Sequence, residues 1–419
     1  MRIAYLFTTF PKTSESFLQR EINGLANHAN LEITLFSFFG GRGRSFNRFP
    51  LQHFCWKDQL RLPFRFLIEI CRKPDSFLEL AELYDRSPPK CPINLLENLV
   101  GAAFAITYAK RFRKNPPDLI HAVWATAPAA AALLLSKLTD TPFSMGAHAY
   151  DIHRDGGDCL LLPKIEAAQF VHTSSDNARI SLLEKGAPED KIRLIRRGLD
   201  TIPPLAEQLA WPEKIRILSV GRLIEKKGYF EQLDIYAHLA ADGIPFEARI
   251  IGGGPLRAAL QRAILKKNLQ AHVTLCGALP YEEVNAHYKN WAQLFLFTGK
   301  IARSGDRDGF PNVIGEAMAA GVLVLTSAVA GTSEVIQSGK TGALLPLDRP
   351  KEWSTTIRHI RATPAERQRL RKSAHAWVTL NFNASINATR VLAAQTAALE
   401  STHSEHLFHG KLKRFEDPV

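Results

Sequence analysis

The stretch DGFPNVIGEAMAAGVLVLTS, residues 308–327, carries a charged loop, a helix and a buried strand in twenty positions. Pro311 suits the first helical position, where its missing N–H is an orphan in any case. NVIGEAMAA continues as helix, and Gly321 ends it in a left-handed cap. The run that follows is apolar throughout rather than alternating, the mark of a strand buried on both faces of a parallel sheet. In open α/β sheets ligands collect at such helix starts, above the carboxyl ends of the strands. The backbone at Gly309, Phe310, Pro311 and Asn312 is then placed to meet oxygen acceptors. Glu316, about one turn into the helix, can accept two hydrogen bonds, which suits a vicinal diol such as a ribose. Asp308, in the loop, can accept from another hydroxyl. The same spacing also fits a plain helix-start charge and a solvated glutamate, and both readings stay open at this point.

Outward from this stretch the chain repeats the alternation of apolar run and helical pattern. RIAYLFTTF, EITLFSF, DLIHAVW, FSMGAHA and FVHTSS read as strands in the first half, separated by helices such as APAAAALLLSKL. IRILSVG, FEARIIGGG, HVTLCGAL, QLFLFTG, VLVLTSA and GALLPL read as strands in the second. Residues 58–114 read as mostly helical with a weak pattern. The expected fold class is α/β, two doubly wound Rossmann-like domains. The expected boundaries are an N-terminal domain over 1–200, a proline-rich linker over 201–212 and a second domain over 213–380. A helix over 381–400 is expected to pack back on the first domain, and a loose tail to fill 401–419.

The 419 residues carry a formal net charge of +12, with 46% hydrophobic and 22% charged residues. That composition excludes a disordered or fibrous chain. The positive balance favours an anionic partner. The charge is spread thinly, KRFRK at 110–114 and IRLIRRG at 192–198 being the densest pieces, so a nucleic-acid arm is not expected. Five cysteines, widely separated and odd in number, argue against a disulfide framework or zinc site and for a reducing cytoplasm. No stretch approaches the roughly 20 apolar residues that span a bilayer. The expectation is a cytoplasmic protein, or one peripheral on an inner leaflet.

Three further places bear on chemistry. In LSVGRLIEKKG a strand ends, Gly221 turns the chain, and Arg222 emerges at the sheet edge with Lys226 and Lys227 in the following loop. An arginine fork and a lysine point charge are natural diphosphate ligands, although a basic surface loop would read the same. In RIIGGGPLR, Gly253 is the middle of three glycines that allow backbone to approach a ligand. The spacing is not the dinucleotide fingerprint, so a base-binding turn and a structural turn are both open. In FSMGAHAYDIHRDGG, His148 stands at a strand end where it can meet a sugar hydroxyl or pack as a core histidine. His148, Asp151 and His153 lack a helical metal-ligand spacing, and no metal is expected.

These pieces, in this order, resemble the retaining glycosyltransferases of family 4, which have the GT-B fold, two Rossmann-like domains facing each other across a cleft. GRLIEKKG, IIGGGPLR, LCGALPYEEV, DGFPNVIGEAMAAGVLVLTS and GTSEVIQSGKTGALLPL carry the resemblance through the second domain. FPKTSESFLQREINGL, GAHAYDI and HTSSDNARISLLEKGAPEDKIRLIRRGLD carry it more loosely through the first. The pattern looks most like the branch that builds exopolysaccharide, colanic-acid-like or lipopolysaccharide chains. The resemblance implies that Arg222 and Lys227 hold the donor diphosphate and that Glu316 binds the nucleotide ribose. It implies that Asp308 and the amides after it grip the donor sugar, with Gly221, Gly253, Gly309, Phe310, Pro311 and Asn312 lining the donor site. His148 would face the donor sugar, and Ser14, Glu15 and Ser16 the acceptor. One departure stands out: the family usually has glutamate at both ends of its E-x7-E motif, and here the first is Asp308, one methylene shorter.

The implied activity is transfer of a sugar from a nucleotide sugar, UDP-linked first and GDP-linked second, to a glycan or polyprenyl-diphosphate-linked acceptor, with no cofactor. The basic balance fits an anionic inner-leaflet surface as a further partner. The rival readings are a nucleotide-sugar epimerase of the same fold, a phosphorylase carrying pyridoxal, and a non-enzymatic nucleic-acid binder.

Overall fold

The structure, a computed structural model, describes the chain except residues 13–14, 41–42, 55, 90, 208–210 and 413–419, together with the side chains of 56, 58, 330 and 402–412. The chain divides into two compact units, one of Met1–Ile195 with Ser385–Val419, the other of Arg196–Ala384.

The first unit holds strands β1 (Arg2–Phe7), β2 (Glu32–Ser37), β3 (Ser45–Phe46), β4 (Phe49–His53), β5 (Leu119–Ala122), β6 (Phe143–Gly146), β7 (Val171–Thr173) and β8 (Ile192–Leu194). They form one sheet in the order β3-β4-β2-β1-β5-β6-β7-β8, parallel except where β3 meets β4. Side chains alternate along a strand, so β1 feeds two cores. Ala4 and Leu6 join a cluster with Phe36, Phe104 and Leu134. Ile3, Tyr5 and Phe7 join another with Leu18, Ile22 and Ala388. That two-sided demand is why IAYLF, Ile3–Phe7, is apolar without a gap.

The second unit holds β9 (Ile215–Val220), β10 (Phe246–Ile251), β11 (Val273–Gly277), β12 (Leu294–Phe297), β13 (Leu323–Thr326) and β14 (Ala343–Leu344). Their order, β11-β10-β9-β12-β13-β14, is the doubly wound 3-2-1-4-5-6 arrangement, all parallel. Here too the faces divide cleanly: Ile215, Ile217, Leu294 and Leu296 pack on one side, and Leu218, Phe295 and Phe297 on the other. Strand order reverses between β9 and β12, which opens a crevice at their carboxyl ends.

Three expectations are corrected. Pro311 is not the first helical residue; it is the N-cap, extended at φ −73° and ψ 104°, and the helix is Asn312–Ala319. A proline at the cap still lacks the donor that would go unused there. The C-terminal helix does not give way to a loose tail at 401; it runs over Ala384–Leu412, because neither proline nor glycine interrupts it before Gly410. In the described part it is tied to the first unit, Gln395 Nε2 donating to the Tyr5 hydroxyl at 2.8 Å. The proline-rich stretch before β9 folds onto the second unit instead of standing free. Arg371 donates to the Ala206 carbonyl at 3.2 Å, and the His375 ring meets the Pro203 carbonyl at 2.8 Å.

Candidate functional site

At the reversal in the second sheet, β9 ends and the chain turns at Gly221, whose amide donates to the Ile251 carbonyl at 3.0 Å. Arg222 projects from the next position and is exposed. A short 3₁₀ turn, Glu225–Lys227, follows, and then the helix Tyr229–Ala241. This loop is knitted to the chain leaving β12: Lys300 N donates to the Lys226 carbonyl at 2.9 Å and Thr298 Oγ1 to the Lys227 carbonyl at 3.1 Å. The Tyr229 hydroxyl returns to the Gly221 carbonyl at 3.0 Å.

The same two loops exchange charge. Lys227 Nζ lies 2.7 Å from Asp308 Oδ2 and 5.0 Å from the centre of the Phe297 ring. Lys226, only 5% exposed, reaches Asp306 Oδ1 at 3.0 Å and Asp308 Oδ1 at 3.5 Å. Burial works to raise the Asp308 carboxyl, but Lys227 and Lys226 outweigh it and hold the group below its usual range. Burial lowers the Lys227 ammonium against the pull of Asp308, with Lys226 and Arg222 adding to the lowering. Asp306 was not among the expected site residues, and Lys226 was expected only as the neighbour of Lys227 in the loop. The doublet of lysines and the two acids at 306 and 308 were the available signal, but nothing local pairs them.

The three glycines after β10 divide by role. A Cβ on Gly252 would stand 1.9 Å from the Gly221 carbonyl oxygen, and one on Gly254 2.6 Å from the Leu223 oxygen. Both are places where backbone passes against backbone. Gly253 has room, its nearest neighbour being Ala278 Cβ at 3.7 Å, and its carbonyl accepts from Leu223 N at 2.8 Å. Beyond Asp308, the buried Gly309 accepts from Gly331 N at 2.8 Å, and the Phe310 ring sits edge-on to Phe382 at 5.2 Å. Phe310 thus anchors the loop through its ring. Asn312 opens the helix with its Oδ1 buried and without a hydrogen-bond partner. Glu316 follows, partly exposed, on that helix.

In the first unit His148 lies just past β6 and is 5% exposed. Its ring stands edge-on to Trp124 at 5.4 Å and to His172 at 5.0 Å. Asp151 serves the backbone. Its Oδ1 accepts from the amides of His148 at 3.0 Å and Ala149 at 2.8 Å, and its Oδ2 from Ala125 N at 3.2 Å. Burial nonetheless raises its carboxyl above the ordinary range, the backbone amides opposing that shift. Lys164, fully buried, pairs with Asp158 at 2.7 Å and donates to the Ala125 carbonyl at 2.7 Å. Asp151 and Lys164 thus hold both sides of the Ala125 peptide and so fix the turn that carries Trp124. Sequence reading missed Lys164, for which no local pattern exists. Ser14 lies outside the described residues. Glu15 pairs with Lys12 at 2.6 Å, and Ser16 opens the helix Ser16–Leu25. Among the described residues no group of three or more His, Cys, Asp or Glu is placed to hold a metal ion.

Comparison with known proteins bears on the family and the fold. Residues 203–377 match the family model described as glycosyl transferases group 1, and residues 65–202 the model described as glycosyltransferase family 4. The chain is 34% identical over 213 residues to the amylovoran biosynthesis glycosyltransferase AmsK of Erwinia amylovora, covering 51% of this chain and 52% of that one. It is 33% identical over 168 residues to the putative colanic acid biosynthesis glycosyltransferase WcaL of Escherichia coli K12, covering 39% and 41%. The matched regions therefore span about half or less of these relatives' lengths. Among solved structures, Anabaena Alr3699/HepE in complex with UDP and glucose superposes with a TM-score of 0.68 at 17% identity, over 95% of this chain and 100% of that one. That likeness shows the fold, GT-B.

Proposed function

The chain belongs to the family-4 glycosyltransferases, and from that premise we propose that it moves a sugar from a nucleotide sugar to a glycan or polyprenyl-diphosphate-linked acceptor, with retention of anomeric configuration, in the assembly of a bacterial cell-surface polysaccharide. The donor is UDP-linked in this reading, with GDP-linked second. One observation carries it: a lysine held 2.7 Å from a carboxylate, with the exposed Arg222 earlier in the same loop, at the strand-order reversal where an anion would sit.

Breaking the anomeric C–O bond develops negative charge on the leaving diphosphate and positive charge on the sugar ring. Arg222 and Lys227 meet the first, a preorganised electrostatic contribution that in comparable sites is worth roughly 3 kcal/mol per donor removed. Asp308, released from Lys227 as the diphosphate takes its place, accepts from a sugar hydroxyl. Asn312 Oδ1, an acceptor without a donor, suits a second hydroxyl. Glu316 takes the ribose diol. No carboxylate is assigned as a covalent nucleophile, so the acceptor attacks from the face the leaving group departs. The relatives' roles in amylovoran and colanic acid biosynthesis support the polysaccharide setting. The protein works in the cytoplasm, without a cofactor or nucleic-acid partner, at the anionic surface of the inner membrane. Among the described residues no helix is long and apolar enough to cross that membrane.

Calorimetric titration with UDP-, GDP- and ADP-sugars tests the reading. Saturable binding of one nucleotide class, lost in Arg222→Ala, is expected. Heat from none of them, while the protein is folded, would remove the proposal.

A further inference from the structure

Lys226 and Lys227 end the 3₁₀ turn Glu225–Lys227 and meet one carboxylate from different sides. Successive residues of such a turn point about a third of a turn apart. Lys227 therefore reaches Asp308 Oδ2 at 2.7 Å, while Lys226 reaches Oδ1 at 3.5 Å and Asp306 Oδ1 at 3.0 Å. The four side chains make a row of alternating charge: Lys227, Asp308, Lys226, Asp306. The two lysines are held differently within it. Lys226 is buried and its ammonium lies between two carboxylates. Its carbonyl accepts from Lys300 N at 2.9 Å, and Lys300 Nζ in turn pairs with Glu231 at 2.5 Å. Asp306 is set by its own turn, its carbonyl accepting from Ala302 N at 2.9 Å. The Lys227 ammonium, by contrast, has one carboxylate, Asp308, and the Phe297 ring at 5.0 Å.

We propose that Lys226 is a positioning residue: it keeps its hold on Asp308 Oδ1 while Lys227 turns to the donor diphosphate, so that Oδ2 is left, ionised and aimed, to accept from a sugar hydroxyl. The inference rests on the transferase reading above and adds a division of labour between adjacent lysines. A carboxylate deserted by Lys227 beside an arriving diphosphate meets burial and like charge together, and both favour its protonated form. A protonated carboxyl no longer offers the charge-assisted bond that an ionised acceptor gives. The groups facing Asp308 are Lys226, Lys227, Asp306 two positions before it, and Tyr229, whose hydroxyl is pushed above its ordinary range by burial and then by Asp308. Of these only the lysines carry positive charge. Once Lys227 is engaged elsewhere, Lys226 is the cation left to Asp308, and it shares that duty with Asp306.

The test is calorimetric affinity of the full chain, between about pH 5 and pH 8, for UDP-glucose, GDP-mannose and ADP-glucose and for bare UDP, GDP and ADP. For the class that binds, K226M should lower affinity for the nucleotide sugar about tenfold at pH 7 and for the bare diphosphate about threefold or less. The loss should deepen towards acid, because Asp308 without Lys226 takes up its proton at a higher pH, and K226R should restore the parental profile. D306N should move the acid fall-off the other way, to lower pH, since it keeps an acceptor for Lys226 but removes the competing charge. A folded K226M with the parental ratio of the two affinities and the parental pH profile overturns the proposal. So does an equal loss of nucleotide sugar and bare diphosphate, which would make Lys226 a diphosphate ligand like Lys227. If K226M does not fold, D306N decides: an acid fall-off that stays put or moves to higher pH overturns the proposal. Absence of binding by the folded parent removes the transferase reading and this inference with it. Binding by the parent with an unchanged K226M removes this inference alone.

Discussion

Asp308 and Asp151 are two aspartates beyond the ends of strands of similar sheets, and their surroundings drive them in opposite directions. Asp308 faces two lysines, which hold its carboxyl low. Asp151 faces only backbone amides in a dry interior, and burial raises it. A carboxylate paired to a lysine side chain can be exchanged for another anion without tearing the fold. One that satisfies three backbone donors cannot, because each abandoned N–H would be left buried and unpaired. The first arrangement suits ligand exchange; the second is scaffolding for Trp124 and His148.

The largest expected effect lies on the exchangeable side. Arg222→Ala and Glu316→Ala should leave the protein folded, by circular dichroism, and lower kcat/KM for sugar transfer by about 10²–10³-fold. Near-parental turnover in either variant would withdraw that residue's role.

Next come the glycines that let each loop lie against its neighbour. A Cβ on Gly252 would stand 1.9 Å from the Gly221 oxygen, and one on Gly146 2.5 Å from the Val123 oxygen and 2.7 Å from His148 Nε2. Gly252→Ala and Gly146→Ala should each cost about 1–3 kcal/mol in denaturant unfolding, while Gly253→Ala stays within about 0.5 kcal/mol. Equal effects for Gly252 and Gly253 would show that the loop is not packed as described.

The smallest effect is the pH dependence of stability, and its sign differs between the two aspartates. A carboxyl held below its ordinary 3.8 binds its proton less readily when folded. Asp308 thus adds stability above that value and loses it as pH falls from that value through its own lower one. A carboxyl raised above 3.8 binds its proton more readily when folded, so Asp151 loses stability as pH rises from that value through its own. Asp308→Asn should flatten the acid limb of a stability profile, and Asp151→Asn should remove a decline on the side above it. A steeper acid limb in Asp308→Asn would reverse the assignment of the lysines as its dominant neighbours.

Much of the scaffold was legible along the chain. The apolar runs expected as strands are strands, because burial on both faces leaves a continuous signature that needs no partner to be read. Short β3, β4 and β8 were missed; SF, FPLQH and IRL are too brief or too polar to stand out. Arg222, Lys227, Asp308 and Glu316 were legible as positions at strand ends and helix starts, because those are local features. Lys226 was visible only as the neighbour of Lys227, and its burial against Asp306 has no local trace.

The sequence by itself determined which segments enter the sheets, where the turns between them fall, and that cations and carboxylates gather at strand ends. Only the tertiary structure decided which cation meets which carboxylate, which of three glycines is indispensable, and that Asp151 serves the backbone. The physical reason is range. Strand and cap signals act over a few residues, whereas Lys226 and Asp306 are 80 positions apart. They meet only because the sheet sets β9 beside β12.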